Sequence, residues 1–392
     1  MVKKIKYILT ILLLGSAGLI AGHGAGSAND APTRPVRVLV LKEAQSLELT
    51  VQGTYSLIDE EHPGILEDKA PALKSKVYAT PKGIWINGQE YSTRRLAIEP
   101  DRDASVAINN RRFRGRVTIM VGANNTVSVI NVVDLEQYIK GVLYHEVSHR
   151  WPLEAIKAQA VATRSYAVYS MQQKEGKDFD VTNDIYSQVY GGKNSERFRT
   201  NLAVNGTKGL VLVYQRKVLP AFFHATCAGM TEDAAEVWNV KMAPLKSVEC
   251  PYCQTSPHLR WKRNFRLKDI QNKLSASGHK IGLIKDIVVV ERNGSDRIKT
   301  LKITGRAGES INIAGKDFRN ILGPNDIRSN NYEVVMKGWY VDFYGRGWGH
   351  GVGLCQWGAY GMAQQQFDFK AILNHYYPHT ELMDLDKLNL KL

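Results

Sequence analysis

The chain has 392 residues, 44% hydrophobic and 23% charged, with 52 Lys and Arg against 38 Asp and Glu for a net +14. That is the composition of an ordinary folded protein with a sizeable core, and no segment beyond the N-terminus is apolar enough to cross a bilayer. The excess of Lys and Arg favours polyanions as partners: nucleic acid, anionic lipid, or wall polymers carrying acidic groups. It biases the choice of partner and says nothing of chemistry.

Lys3, Lys4 and Lys6 precede an apolar run from Tyr7 to Ile20, and small residues follow up to Ser27 and Ala28. The pattern predicts a secretory signal over residues 1–28, with an uncleaved membrane anchor as the alternative. No Cys lies near the small-residue stretch, which argues against a lipid-modified N-terminus. Export to the periplasm, cell wall or extracellular space is expected, with or without N-terminal anchoring, and export removes nucleic acid from the partners.

About 360 residues remain, enough for two domains or one with an elaborate insertion. From Val36 to about Val133 the chain alternates as strands do, with turn signals such as Pro-Lys-Gly and Asn-Gly between runs. A β-rich N-terminal region over 35–125 is predicted, and its Arg111, Arg112, Arg114 and Arg116 read as a solvated strand face. The period then changes. Asp134 reads as the cap of a helix running through Leu135 to Gly141. A second helix is expected to start at Pro152, and its Ala155, Ala160, Ala162 and Ala167 predict close packing and burial. Strands resume over residues 209–226. Residues 259–340 return to β patterning around a helix at LKDIQNKLSA, and a last helix ends before Pro378. The fold class expected is α+β, with strands and helices segregated.

Two motifs carry the chemistry. His145-Glu146-Val147-Ser148-His149 fits H-E-x-x-H, the metal motif of zinc peptidases, where both His project from one continuous helix. Trp151 precedes Pro152, however, and a residue before proline is pushed out of helical geometry, so a helix through His149 must stop within a turn. The other motif is cysteine-based. His224-Ala-Thr-Cys227 and Cys250-Pro-Tyr-Cys253 give HxxC and CxxC at zinc-knuckle spacing. In an exported protein a disulfide competes with zinc for the same residues, and both remain open. Farther on, the glycines in residues 345–353 predict tight turns; they form no nucleotide loop, because no Lys-Ser/Thr follows.

The stretch VVDLEQYIKGVLYHEVSHRWPLEAIKAQAVATRSYAVY resembles the core motif of the SpoIID/LytB family, exported proteins of peptidoglycan remodelling and sporulation. SQVYGG (187–192), TKGLVLVY, FFHATCAGMTEDAAEVW and GWGHGVGLCQWGAYGMA match that family in the same order, from about residue 115 to 385. The resemblance implies a catalytic core over 126–385, containing a groove, with the 259–340 β-rich subdomain inserted. It also implies a lytic transglycosylase that cleaves the β-1,4 bond between N-acetylmuramic acid and N-acetylglucosamine, with Glu146 as its catalytic acid and then base. Such chemistry needs no cofactor and one carboxylic acid of raised pKa, whereas hydrolysing glycosidases use two carboxylates. Leu143, Tyr144, Val147 and Trp151 are available to shelter Glu146.

His145, Arg164, Tyr166, Gln188, Tyr190, His350, Gln356 and Tyr360 are the candidate groove residues, with Arg164 either orienting the acid or pairing with Glu154. A structural zinc is implied at Cys227, Cys250 and Cys253 with His224, and His258 or Cys355 as alternative fourth ligands. Partners implied are glycan strands at the cell-envelope surface and a cell-wall amidase. Some family members are amidase enhancers, so a non-enzymatic glycan binder is the competing expectation, with the zinc peptidase third.

Overall fold

The computed structural model describes residues 35–183 and 188–388. The expected signal or anchor over residues 1–28 lies outside the described residues, as does Ser187. None of the described helices is long and apolar enough to cross a membrane.

The alternating N-terminal stretch forms two sheets. One has seven strands in the order Val181–Thr182, Pro35–Ala44, Val127–Asp134, Arg116–Val121, Arg95–Pro100, Tyr55–Asp59 and Gly64–Ala70. The other has six, with Leu47–Gln52 and Leu73–Ala79 at its centre. Alternation does the sorting: in Leu47–Gln52 the residues Leu47, Leu49 and Val51 are buried while Glu48 and Gln52 are exposed. Val127–Asp134 pairs with both Pro35–Ala44 and Arg116–Val121, so the strand that leads into the first helix lies inside the β-rich region.

Eight α-helices occur among the described residues: α1 (Leu135–Glu146), α2 (Leu153–Gln173), α3 (Phe198–Asn205), α4 (Ala234–Trp238), α5 (Leu267–Ala276), α6 (Gly315–Leu322), α7 (Gln356–Gln364) and α8 (Phe369–Tyr376). The class is α+β, as the sequence predicts. Asp134 caps α1 as expected, its Oδ1 accepting from the Glu136 and Gln137 N–H groups at 3.0 and 3.2 Å.

Burial of α2 goes beyond one stripe. Ile156, Ala160, Ala167 and Val168 join the core of the two sheets, while Ala155, Ala158, Val161 and Ala162 join a second core with Ala359, Ile372 and Tyr376 from α7 and α8. Alanine lets backbones approach on both sides, so the helix is sandwiched between two cores. A third core, from Trp261 to Phe343, occupies the later β-rich stretch. There two three-stranded sheets pack with α5 and α6.

Candidate active site

Glu146 is the last residue of α1. Val147 is already extended, with φ −137° and ψ 152°. The helix therefore ends between His145 and His149, and the two rings cannot face one metal from a single helical surface as H-E-x-x-H requires. Glu146 is neither surface nor core: part of its side chain remains open, while the protein around it excludes enough water to favour the neutral carboxyl. Desolvation raises its pKa to about 7 against hydrogen bonds from Gln356 and the Val189 N–H, which pull the other way. Gln356 Nε2 lies 3.5 Å from Glu146 Oε2 and 3.4 Å from Gln159 Oε1, so one amide links the end of α1, the start of α7 and the buried face of α2.

Aromatic clusters lie toward both ends of α2 from Gln159. On one side Trp151 meets Trp357 and Tyr360 at ring separations of 5.1 and 5.2 Å. Toward the other end Tyr166 meets Phe222 at 5.9 Å, and Phe222 and His350 meet Trp238 at 4.5 and 4.9 Å. Tyr166 follows Gln159 by two helical turns on the same face, about 10 Å along the axis. Trp151, Trp357, Tyr360, Tyr166, Phe222 and His350 are each partly exposed.

The glycine-rich loop is stitched into this wall. Thr226 bridges to Trp348, and Phe223–His224 pairs in parallel with Leu354–Cys355. Gly349 and Gly353 have φ of 112° and 70°, and a Cβ would come within 2.7 Å of His224 Cβ and 2.1 Å of Phe222 O, respectively. Both the conformation and the clearance therefore demand glycine. His350 accepts the Val352 N–H at Nδ1, 3.0 Å away. Burial, with Arg319 and Arg297 nearby, pushes its pKa down to about 3, so the ring is neutral at physiological pH.

The thiols of Cys227, Cys250, Cys253 and Cys355 converge. Their sulfurs all lie within 4.8 Å of one another, all four residues are buried, and none forms a disulfide. Cys227 and Cys253 Sγ are 3.7 Å apart, far beyond a disulfide bond of about 2.05 Å and close to the edge of a tetrahedron with zinc–sulfur bonds of about 2.3 Å. The Cys227 and Gly358 N–H groups each donate to Cys355 Sγ at 3.3 Å. Thiolates at a structural metal site take such donors from their surroundings, and this donor set suits a structural zinc with every position filled.

Comparison with known proteins adds the lineage. The family model described as "Stage II sporulation protein" matches residues 123–214. A second, described as a domain of unknown function (DUF8618), matches residues 245–353. The chain is 38% identical over 359 residues to an uncharacterized protein of Brachyspira hyodysenteriae, covering 90% of this chain and 94% of that one. It is 31% identical over 290 residues to Stage II sporulation protein D of Bacillus amyloliquefaciens, covering 69% of this chain and 80% of that protein. The chain belongs to the SpoIID family. It also aligns at 29% identity with the protein named Amidase enhancer of Bacillus subtilis, over 62% of this chain and 40% of that protein.

Within this SpoIID chain the candidate residues part company. Gln356 is set against Glu146, and Tyr360, Tyr166 and His350 lie in the flanking clusters. His145 turns toward the loop after Gly191, its Nε2 2.6 Å from Ser195 Oγ. Gln188 and Tyr190 are core residues instead of groove residues. Gln188 accepts from Tyr138 OH at 2.9 Å, and Tyr190 OH donates to Asn131 Oδ1 at 2.9 Å. Arg164 is fully buried and pairs with Glu136, at 2.8 and 2.7 Å, and not with Glu154 or the acid. Glu154 instead binds Lys157. Cys355, and not His224, completes the thiol cluster; His224 Nδ1 pairs with Val352 O at 3.1 Å, and His258 packs edge-on against Trp348. Sequence reasoning assigned no role to Gln159, although a Gln amid the alanines of a buried helix was the available signal.

Proposed function

We propose that this SpoIID protein works on the cell wall, as a lytic transglycosylase of peptidoglycan glycan strands, with Glu146 as acid and then base. The observation that carries the reading is a single half-sheltered carboxyl whose pKa is raised to about 7 by desolvation, with no other carboxylate among the described residues that shift it. Neutral Glu146 protonates the bridging oxygen as the bond from muramyl C1 to that oxygen breaks. The resulting carboxylate takes the proton of the muramyl C6 hydroxyl while O6 bonds to C1, which leaves a 1,6-anhydro end and regenerates the acid without water. A hydrolase would need a second carboxylate as nucleophile or water-activating base. Gln356 steadies the carboxylate that forms transiently, and the aromatic clusters offer faces on which sugar rings stack on either side.

A zinc ion held by Cys227, Cys250, Cys253 and Cys355 would supply rigidity beneath the start of α7. With four sulfur ligands it would have no position left for water and would take no part in the cleavage.

The name of the Bacillus subtilis relative motivates a second reading, in which the protein binds glycan and stimulates a partner amidase without cutting. Glu146→Gln separates the two. Loss of cleavage with retained binding of glycan strands is expected. A variant that stimulates a cell-wall amidase as fully as the wild type, where neither protein cuts glycan, would favour the enhancer.

A further inference from the structure

Residues 260–346 hold eighteen Lys and Arg against nine Asp and Glu, so the third core's module carries well over half of the chain's net +14. Its charge has a focus. The strands Tyr332–Lys337 and Tyr340–Arg346 are joined by a two-residue turn, Gly338 with φ 64° and then Trp339. Trp339 is 61% exposed at the tip, with Tyr340 41% exposed and Leu283 48% exposed. These three line one shallow hollow with Arg266 and Lys268. Arg306 joins them: its guanidinium lies 4.1 Å over the Trp339 ring, and its backbone N–H donates to Leu283 O at 2.7 Å. Lys268 binds Gln271, and neither it nor Arg266 nor Arg306 has an acidic partner among the described residues.

Three uncompensated cations around an exposed indole, phenol and Leu side chain make a two-part demand on whatever covers them. A soluble polyanion would satisfy the cations and leave the apolar tip in water. The surface of an anionic phospholipid bilayer satisfies both parts, because phosphates take the cations while Trp and Tyr favour the headgroup level and Leu the acyl boundary. We infer that this hairpin tip docks the protein on an anionic phospholipid surface. The contact is peripheral: it uses side chains at a turn and needs no spanning segment. It stands independently of the glycan-cleaving reading.

The test uses the full chain and vesicles of phosphatidylglycerol with phosphatidylcholine, beside pure phosphatidylcholine vesicles, read by co-sedimentation and Trp emission. Two variants are compared, Leu283→Ser/Trp339→Ser and Arg266→Gln/Lys268→Gln/Arg306→Gln, each checked for native circular dichroism. Each basic residue near an anionic leaflet is worth about fivefold in partitioning. Both variants should therefore bind the anionic vesicles about tenfold or more weakly than wild type, with little binding of any form to phosphatidylcholine. Wild-type binding in both variants would place the contact elsewhere and overturn the inference. Loss in the charge variant alone would mark a site for soluble polyanions, and no wild-type binding at all would equally sink the membrane contact.

Discussion

Glu146 occupies the point where α1 stops, and its environment makes a neutral carboxyl the comfortable state near pH 7. If it acts as the acid, kcat/KM should fall above about pH 7 with a single ionisation, and Gln356→Leu should move that limb upward, because the lost amide favours the ionised form. A pH–rate profile of both proteins checks this. Stability follows the same linkage. The folded pKa is raised above the ordinary value of 4.5, so the site's contribution is fully present below that value and is lost as pH rises through about 7. Glu146→Gln should thus be more stable than wild type by about 3 kcal/mol at about pH 8 and nearly equal to it at about pH 4, by urea denaturation. The sequence placed this acid at a helix junction through Trp151-Pro152. It could not show the 210-residue reach from Glu146 to Gln356, since nothing local encodes that contact.

Among the elements, α1 and α2 are bolted together by Glu136 and Arg164. The guanidinium donates twice to the carboxylate and once to Leu210 O, at 3.1 Å, with no exposure of its own. Removing the arginine leaves the partly buried Glu136 carboxylate without its counter-charge. Arg164→Met should cost about 3–5 kcal/mol in denaturant unfolding while leaving the pH profile of the surviving activity unchanged. A shifted profile would instead return Arg164 to the acid's side. Local signals named α1 by its Asp134 cap and α2 by Pro152 and its alanine stripe, and placed α5 at LKDIQNKLSA and α8 before Pro378. The Arg164 pairing was hidden for a physical reason: Glu154 lies ten residues back on the same helix, about 15 Å along its axis and out of reach, whereas a partner 28 residues away depends on how two helices cross. Gln188 and Tyr190 misled in the same way, because a polar side chain facing a groove and one tied to a buried Tyr138 or Asn131 look alike in sequence.

Across the whole molecule, the thiol cluster sits in the core that α2 shares with α7 and α8. Cys227 and Cys355 are 128 residues apart in sequence, yet the parallel pairing of Phe223–His224 with Leu354–Cys355 aligns them. The HxxC and CxxC spacing made the cluster visible, and only the strand pairing could choose Cys355 over His224. Metal analysis of the purified protein should find about one zinc per chain. Cys250→Ser should lose it and lower Tm, whereas an apoprotein as stable as the holo form would refute a structural metal.

The decisive readout is mass spectrometry of purified sacculi digested with wild-type protein and with Glu146→Gln. Muramic acid released with 1,6-anhydro ends by the first and by no detectable activity of the second is expected. Reducing muramyl ends from the wild type, or anhydro ends formed by the variant at an undiminished rate, would remove Glu146 as the acid that cuts without water.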